Sequence, residues 1–261
     1  MPFVQSGAIK YYAFKSFENQ ELYHAVFTRN GGFSPSPWHS LNFGASVGDD
    51  KSRVIHNREI ALQAINIKPD SVYDVFQVHS NRVVKTDAPL SPDKEHIKAD
   101  AIITRQPKVS LLMRFADCTP ILLFDPVSRA IGIAHAGWVG TVEKIAEKTV
   151  LAMVKYYGSN PSDIIAAIGP SIGPDHYSVG RDVLERVQYS FPENFDKVIF
   201  YQNSRIYFDL WKANQIVLSE IGVRKIEISG ICTCCNLTDW YSHRGENGLT
   251  GRFGVVLGLN E

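Results

Sequence analysis

The sequence predicts an α/β fold with a mixed β-sheet, organised as a single domain. Short runs rich in β-branched and aromatic residues alternate along the chain with longer segments of helical periodicity. Several neighbouring strand-like runs are joined by connections too short for a parallel crossover, so part of the sheet is expected to be antiparallel. No linker, repeat or low-complexity segment interrupts the 261 residues, and we expect one domain spanning 1–261.

The composition and charge are those of an ordinary globular protein. The chain is 44% hydrophobic, and its 27 basic and 27 acidic residues give zero formal net charge. This balance argues against broad attraction to nucleic acid or to an anionic membrane. The segment 1–14 has no signal-peptide pattern, and no run approaches the roughly 20 apolar residues that span a bilayer. We expect a cytoplasmic protein that binds neither nucleic acid nor membrane; no motif indicates an oligomeric state.

The first half of the chain is predicted to be rich in strands. The segment 1–14 is expected to be an irregular arm or an edge strand. A loop rich in Pro, Ser and Gly over 33–50 precedes a helix at about 51–65, which Asp49 or Asp50 would cap. The predicted strands of this half are 22–28, 72–79, 83–86, 99–104, 110–116, 121–124 and 130–134.

The second half is predicted to be richer in helices. Apolar residues recur at helical spacing from Val142, and Gly158 would end that helix. Asp209 is expected to cap a later helix over 210–221. The remaining predicted elements are a strand at 164–168, a helix at 181–190, a hairpin of 198–200 with 206–208, and strands at 226–231 and 254–259.

Three side chains that bind metals well each follow a predicted strand. They are His79, Cys118 and His135. In open α/β sheets, ligands collect at the carboxyl ends of strands. Two imidazoles and one thiolate suit zinc and leave a fourth position for water or substrate, whereas copper is the alternative metal because Cu(II) binds more tightly. Each residue alone has a simpler explanation, as a hydrogen-bonded histidine or a buried cysteine.

Two neighbouring features bear on catalysis. Asp117 could orient a ligand histidine or cap the following turn, and with His243 it is a candidate for handling protons. The turn 137–141 follows His135 and is predicted to open a helix. Because a helix N-terminus has free N–H groups, this turn is a candidate anion site.

The other cysteines, Cys232, Cys234 and Cys235, are predicted to be free thiols. Their spacing is poor for a disulfide framework. No second Cys-x-x-Cys or His pair accompanies them, so no structural zinc site is predicted, and they are expected to be small residues at a strand end.

Several motifs, taken in order, resemble those of the YfiH/YlmD family, which is labelled laccase-domain or polyphenol oxidase and viewed as zinc-dependent purine nucleoside enzymes. The resemblance runs nearly end to end. The motifs that carry it are Thr-Arg-Asn-Gly-Gly at 28–32, Ser-Leu-Asn at 40–42 with Val-Gly-Asp-Asp at 47–50, Gln-Val-His-Ser at 77–80, Ala-Asp-Cys-Thr-Pro at 116–120, Ala-His-Ala-Gly-Trp at 134–138, Gly-Pro-Ser-Ile-Gly-Pro at 169–174 and Thr-Gly-Arg at 250–252.

The resemblance implies a layered α/β/β/α sandwich, with helices outside two central sheets, and a catalytic zinc bound by His79, Cys118 and His135. It implies phosphorolysis of adenosine, inosine, guanosine or methylthioadenosine, accompanied by adenosine deamination. The substrates would then be a purine nucleoside and phosphate. For such substrates Arg29 and Arg244 are candidate cations and Asn42 a candidate hydrogen-bonding group, although arginines at surfaces and asparagines in turns are common.

Two positions depart from the family pattern. Val139 stands where the family usually has a basic residue after Ala-Gly-Trp, which puts phosphate binding at that turn in doubt. The family's Tyr-Arg-Arg near the carboxyl end is matched only by Tyr-Ser-His-Arg at 241–244, so Arg244 alone carries over.

Three other functions are open. A copper-dependent polyphenol oxidase, laccase-like, would need His-x-His pairs, and none of the eight histidines has another two residues away. A hydrolase could use Cys118 as nucleophile with His135 as base. A non-enzymatic zinc-binding assembly factor would need a closed metal site, and no convincing fourth protein ligand lies near the three.

Overall fold

Two six-stranded sheets form the centre of the computed structural model, which describes residues 2–91 and 93–260. The strands are β1 (Phe3–Ser6), β2 (Ile9–Tyr12), β3 (Leu22–Phe27), β4 (Val72–Tyr73), β5 (Val83–Lys85), β6 (Ala101–Thr104), β7 (Ser110–Phe115), β8 (Thr119–Asp125), β9 (Ala130–Ala136), β10 (Ile165–Ile168), β11 (Ser178–Val179), β12 (Ile199–Gln202), β13 (Arg205–Phe208), β14 (Lys225–Ile228) and β15 (Phe253–Leu259). The helices are α1 (Lys51–Ala64), α2 (Trp138–Val142), α3 (Ile145–Tyr157), α4 (Arg181–Ser190), α5 (Phe195–Val198) and α6 (Leu210–Glu220), with 3₁₀ turns at Lys15–Phe17 and Pro69–Ser71.

Both large sheets are mixed, as the short connections predicted. The first sheet has the strand order β1-β2-β3-β15-β7-β4, and the second has β14-β10-β8-β9-β6-β5. The pairs β4/β7, β5/β6 and β10/β14 are parallel, whereas the other pairs within these sheets are antiparallel. A small sheet, β11-β13-β12, lies apart from them.

The core has three layers because side chains alternate between the two faces of each strand. In β9, Ile131 and Ile133 join the core between the two sheets, where they meet residues of β7 and β15 such as Met113. Ala134 and Ala136 of the same strand face a second core formed with α3 and α6. A third cluster packs α1 on the outer face of the first sheet. The layered α/β/β/α sandwich is therefore confirmed.

Local capping explains where several predicted helices begin. The Asp50 carboxylate accepts hydrogen bonds from the backbone of Ser52 and Arg53 at the start of α1. Asp209 caps α6 through the backbone N–H of Lys212. Gly158 adopts the left-handed conformation, with φ of 73°, at the end of α3.

Three predicted boundaries were wrong near the functional region. The predicted strand 72–79 is only two residues long, because the buried Asp74 side chain and the Gln77 amide bind Arg114 in place of a strand ladder. The helix predicted from Val142 begins at Ile145, since Lys144 has φ of 61°. Strand β9 extends beyond 134 and includes His135. Among the residues described, no helix is long and apolar enough to cross a membrane.

Candidate metal centre and its cavity

Three side chains with metal-binding atoms converge where the chain passes from the first sheet to the second. One donor atom from each of His79, Cys118 and His135 lies within 4.8 Å of the other two. Cys118 Sγ is 3.8 Å from His79 Nε2, and the two imidazole centroids are 4.9 Å apart. The structure therefore brings together the three residues that the sequence analysis proposed as ligands.

The backbone that positions these residues is locally constrained. Cys118 directly precedes β8, and His135 lies on β9 opposite Pro120 in the antiparallel pair β8/β9. His79 and Asp117 have φ of 58° and 74°. Such left-handed conformations are uncommon outside glycine, although Asp and His adopt them more readily than most residues. They turn the chain so that the side chains from three segments meet.

Asp100, a residue that the sequence analysis missed, organises both histidines. Its buried carboxylate accepts a hydrogen bond from Nδ1 of His135 at 2.9 Å. It also accepts from the backbone N–H groups of His79 and Ser80, at 3.0 and 2.6 Å. Because Nδ1 of His135 is engaged, Nε2 is the nitrogen left for a metal. A carboxylate that orients a ligand histidine in this way is common in metal sites.

The protonation of this group of residues favours a thiolate. Burial alone would raise the pKa of the Cys118 thiol, but the facing His135 and His79 lower it to about 6. Burial would likewise lower the pKa of His135, but Cys118 and Asp100 raise it to about 9. Burial works to raise the pKa of Asp100, yet hydrogen bonds from His135 and Ser80 bring it to about 2. The thiolate is the form of cysteine that binds metals.

The donor set and the space around it fit a zinc ion. Two imidazole nitrogens and one thiolate sulfur are typical ligands of a zinc site with an open fourth position. Gly137 lies against the group, and a Cβ atom there would be 2.9 Å from Cys118 Sγ and 3.1 Å from His79 Cδ2. Only glycine therefore lets the turn after β9 approach the sulfur so closely.

All three residues line a cavity of about 920 Å³. Its wall has an excess of basic side chains, which are Lys51, Arg58, Arg114, Arg244 and Arg252 together with His96 and His243. Asp117 is the acidic residue among the lining groups. Apolar surface comes from Phe76, Trp138 and Tyr177, among others. A cavity of this volume and character suits a small molecule with an anionic part.

A buried carboxylate holds several of the cations in place. Asp74 contacts Arg114 Nη1 at 2.6 Å and His96 Nε2 at 2.6 Å, and Arg58 Nη1 lies 3.6 Å away. Burial and the neighbouring Arg114 lower the pKa of Arg58 to about 10, so it stays protonated at neutral pH. One carboxylate cannot neutralise two arginines, so this group keeps a net positive charge that can attract an anion.

Asp117 has a different role from the one proposed for orienting a histidine. Its carboxylate accepts hydrogen bonds from Thr233 Oγ1 at 2.7 Å and from the backbone N–H of Arg244 at 2.6 Å. The Arg244 guanidinium in turn donates to Oγ and O of Ser178, both at 3.1 Å. Asp117 thus fixes the segment that presents Arg244 to the cavity.

Arg29 and Asn42, predicted as substrate-binding residues, are not among the residues that line the cavity. Arg29 donates to the carbonyls of His39 and Leu237, pairs with Glu246 at 2.9 Å and stacks over Tyr241. These contacts use the guanidinium to hold loops together.

Asn42 is fully buried, as expected of a structural residue. Its amide donates to Asp49 and accepts from the backbone N–H groups of Gly44 and Arg252. It therefore positions Arg252, which does line the cavity.

The turn 137–141 does not open a long helix. Its helix, α2, has five residues, and the Thr141 N–H donates within the turn to the Gly137 carbonyl. Trp138 and Val139 line the cavity with apolar side chains. The cations that this turn lacks lie on other elements of the cavity wall.

The cysteine cluster is not arranged as small residues along a strand. Strand β14 ends at Ile228, and Cys232 begins a turn that runs to Cys235. The structure places Asp175 and His176 beside Cys232 and Cys235, with one potential donor atom from each of the four within 4.8 Å of the others.

Together, the fold and the donor set define an α/β protein with a candidate metal centre that opens on a basic cavity. The chain belongs to the family described as multi-copper polyphenol oxidoreductase laccase, whose model matches residues 23–260.

Relatives in sequence and solved structures match the chain over nearly its whole length. The purine nucleoside phosphorylase YlmD of Bacillus subtilis is 37% identical over 252 residues, covering 93% of this chain and 90% of the relative. A purine nucleoside phosphorylase of Deinococcus radiodurans is 37% identical over 241 residues, covering 92% and 90%. The crystal structure of YlmD from Geobacillus stearothermophilus superposes with a TM-score of 0.92 at 30% identity, covering 100% of this chain and 99% of that one. Bacillus licheniformis YfiH gives 0.89 at 32% identity, covering 99% of both chains. The resemblance to the YfiH/YlmD family is thereby confirmed.

Proposed function

We propose that this chain is a zinc-dependent purine nucleoside phosphorylase, which converts a purine nucleoside and phosphate to the free base and ribose 1-phosphate. The observation that carries the proposal is the His79, Cys118 and His135 group at the wall of a basic cavity. The names of the relatives from Bacillus subtilis and Deinococcus radiodurans support the same reaction. The proposed nucleosides are adenosine, inosine, guanosine and methylthioadenosine.

His79, Cys118 and His135 would hold the zinc ion, and Asp100 would keep His135 in the required tautomer. A zinc ion held there would act as a Lewis acid toward an oxygen of the substrate. Three protein ligands would leave a fourth position for water or substrate, as in catalytic zinc sites, whereas structural zinc sites typically have four protein ligands.

The basic wall is the proposed phosphate site. Arg114 and Arg58 are held by Asp74, and the Arg252 guanidinium donates to the carbonyls of Thr250 and Gly251, so their positions are set before an anion binds. Preorganised guanidinium groups match phosphate oxygens and avoid the cost of ordering flexible side chains. Arg244, near the rim, is proposed to bind phosphate or ribose hydroxyls.

The aromatic surfaces of Phe76, Trp138 and Tyr177 are proposed to contact the purine and the sugar. In the reaction, a phosphate oxygen bonds to C1′ of the ribose as the C1′–N9 bond breaks. The bond's electron pair leaves with the purine, which takes up a proton. His243 is the proposed donor, because it lines the cavity while the Asp117 carboxylate is occupied by Thr233 and Arg244.

Deamination of adenosine to inosine and ammonia is proposed as a second activity of the same centre. In this reaction water attacks C6 of the purine, the amino group leaves as ammonia, and the C1′–N9 bond stays intact. A zinc ion held by the three residues would supply the activation of that water. Adenosine supplied without phosphate should then yield inosine.

The test is to incubate purified protein with inosine and phosphate and to measure hypoxanthine and ribose 1-phosphate. Omission of phosphate should abolish ribose 1-phosphate, which separates phosphorolysis from hydrolysis. Cys118→Ser should lose activity, whereas Cys234→Ser is the matched control, because Cys234 belongs to neither metal-binding group. Absence of product from all four nucleosides, with zinc confirmed in the protein, would reject the proposal.

The family description favours a second candidate, a copper-dependent polyphenol oxidase. Metal analysis of protein prepared without added copper separates the two candidates. Zinc with colourless protein is the expected result, whereas stoichiometric copper with strong blue absorbance would favour the oxidase.

A thiol hydrolase is the third candidate, since Cys118 with a pKa of about 6 faces His135. Activity that survives exhaustive metal removal but is lost on alkylation would identify that mechanism.

A further inference from the structure

A second group of metal-binding side chains lies in the loops after β10 and β14. One donor atom from each of Asp175, His176, Cys232 and Cys235 lies within 4.8 Å of the other three. His176 Nδ1 is 3.0 Å from Asp175 Oδ1, 3.5 Å from Cys235 Sγ and 4.0 Å from Cys232 Sγ. In tetrahedral zinc sites, bond lengths of about 2.0–2.3 Å place ligand atoms roughly 3.3–3.8 Å apart. The observed separations therefore need only small adjustments to surround one ion.

The fold explains why these residues meet. Strands β10 and β14 are parallel neighbours, so the loops at their carboxyl ends leave the sheet side by side. Ser171 and Cys232 extend this pairing as a parallel bridge, in which the Thr233 N–H donates to the Ser171 carbonyl at 3.0 Å. Cys232 and Cys235 then present their sulfurs from one turn, with the two-residue spacing of zinc-binding turns.

The surroundings of Cys232 resemble those of a ligand thiolate. The backbone N–H of Gly173 donates to Cys232 Sγ at 3.1 Å. A Cβ atom on Gly173 would lie 3.1 Å from the same sulfur, so glycine is needed for this approach. Hydrogen bonds to ligand atoms orient them around a metal.

The chemistry of the group suits a divalent cation. Two sulfurs and a carboxylate oxygen lie around the His176 imidazole, each within 4.0 Å of Nδ1. A divalent ion bound there would deprotonate the thiols that bind it.

We propose that Asp175, His176, Cys232 and Cys235 form a second, structural zinc site. Four protein ligands close the coordination sphere, which distinguishes it from the group at His79, Cys118 and His135. The second site joins the loop 169–177 to the loop 229–236.

The site would also stabilise one wall of the cavity. Tyr177, next to His176, lines the cavity, and its ring lies 5.4 Å from the Arg244 guanidinium carbon. Thr233, next to Cys232, donates to Asp117, which fixes the Arg244 backbone. A metal at the second site would therefore hold the segments that carry Tyr177 and Arg244.

The test is the zinc content of purified protein, dialysed against metal-free buffer and measured by mass spectrometry. Wild-type protein should retain two equivalents, and the double variant Cys232→Ser with Cys235→Ser should retain one. Cys234→Ser, which changes the thiol between them, should retain two. Cys118→Ser should retain one, and the combination of Cys118→Ser, Cys232→Ser and Cys235→Ser should retain none.

Cobalt substitution gives a second readout that does not depend on the folding of the double variant. Wild-type protein depleted of zinc and titrated with Co²⁺ should bind two equivalents, both with thiolate-to-cobalt charge-transfer absorption. In Cys118→Ser, one equivalent should remain, and its absorption should show two thiolate ligands. Failure of Cys118→Ser to bind any cobalt, or a wild-type metal content that the Cys232/Cys235 double variant leaves unchanged, would overturn the proposal.

Discussion

Asp100 and His135 are joined by a hydrogen bond of 2.9 Å between the carboxylate and Nδ1 of the imidazole. The same carboxylate holds the backbone of His79, so one buried residue positions two of the three proposed zinc ligands. The backbone of Asp100 is itself fixed to that of His135, because the Asp100 carbonyl accepts a hydrogen bond from the His135 N–H at 2.7 Å. The geometry of the centre therefore depends on a residue that binds no metal itself.

Asp100→Asn is expected to weaken zinc binding by about 10- to 100-fold, as loss of such a supporting carboxylate commonly does. The amide carries no negative charge and cannot accept at both of its former oxygens. Competition with a chromophoric chelator measures the affinity. An unchanged affinity in a folded Asp100→Asn variant would show that the carboxylate does not orient His135.

Asp117→Asn should give the opposite pattern, with zinc retained and substrate binding weakened. Asparagine tolerates φ of 74°, but it weakens the hydrogen bond that fixes the Arg244 backbone. We expect KM to rise by about tenfold, the size of one charge-assisted hydrogen bond. Steady-state kinetics alongside metal analysis checks this, and loss of zinc instead would mean that Asp117 supports the metal.

Arg114→Gln should raise the KM for phosphate by about 10- to 100-fold, since an ionic hydrogen bond contributes about 1.5–3 kcal/mol. The KM for inosine should change much less. Arg129→Gln is the control, because Arg129 is a surface residue paired with Glu21. Equal effects on both substrates would place the phosphate away from Arg114.

The stability of the fold should fall with acid between pH 6.5 and 4 because of His24. Burial lowers the pKa of His24 to about 4, and its Nε2 accepts from the Phe14 N–H at 2.7 Å. The folded state thus binds fewer protons than the unfolded state in this window. The stabilisation is fully present above pH 6.5 and is lost as the pH falls toward 4, by at most about 3 kcal/mol.

Urea denaturation at a series of pH values measures this dependence. His24→Gln can still accept from Phe14 but does not titrate, so its slope between pH 6.5 and 4 should be smaller than in the wild type. His56→Gln, at an exposed position, should keep the wild-type slope. Identical slopes in wild type and His24→Gln would assign the acid sensitivity to other groups.

Much of the fold followed from local patterns in the sequence. The helices α1 and α6 were predicted because Asp50 and Asp209 are capping residues, and α3 was predicted because apolar spacing is a local property. The strand predicted at 72–79 failed because the role of Asp74 depends on Arg114, 40 residues away. Local periodicity contains no information about such a pair.

The residues of the candidate site were likewise predicted only in part. His79, Cys118 and His135 could be predicted from residue type, position after strands and family motifs. Asp100 and Arg114 were missed, although each is a charged residue next to or inside an apolar run, which is a usable signal of a buried polar network. Arg29 and Asn42 lie in family motifs yet have structural contacts, because a motif does not distinguish a residue that binds substrate from one that shapes a loop.

The most direct test of the central claim is a crystal structure of zinc-loaded protein with anomalous data collected at the zinc edge. We expect a peak at about 2.0–2.1 Å from one nitrogen of His79 and of His135 and about 2.3 Å from Cys118 Sγ. Cys118→Ser crystals should show this peak lost or strongly reduced. A wild-type structure from zinc-containing solution without an ion at these three residues would contradict the account.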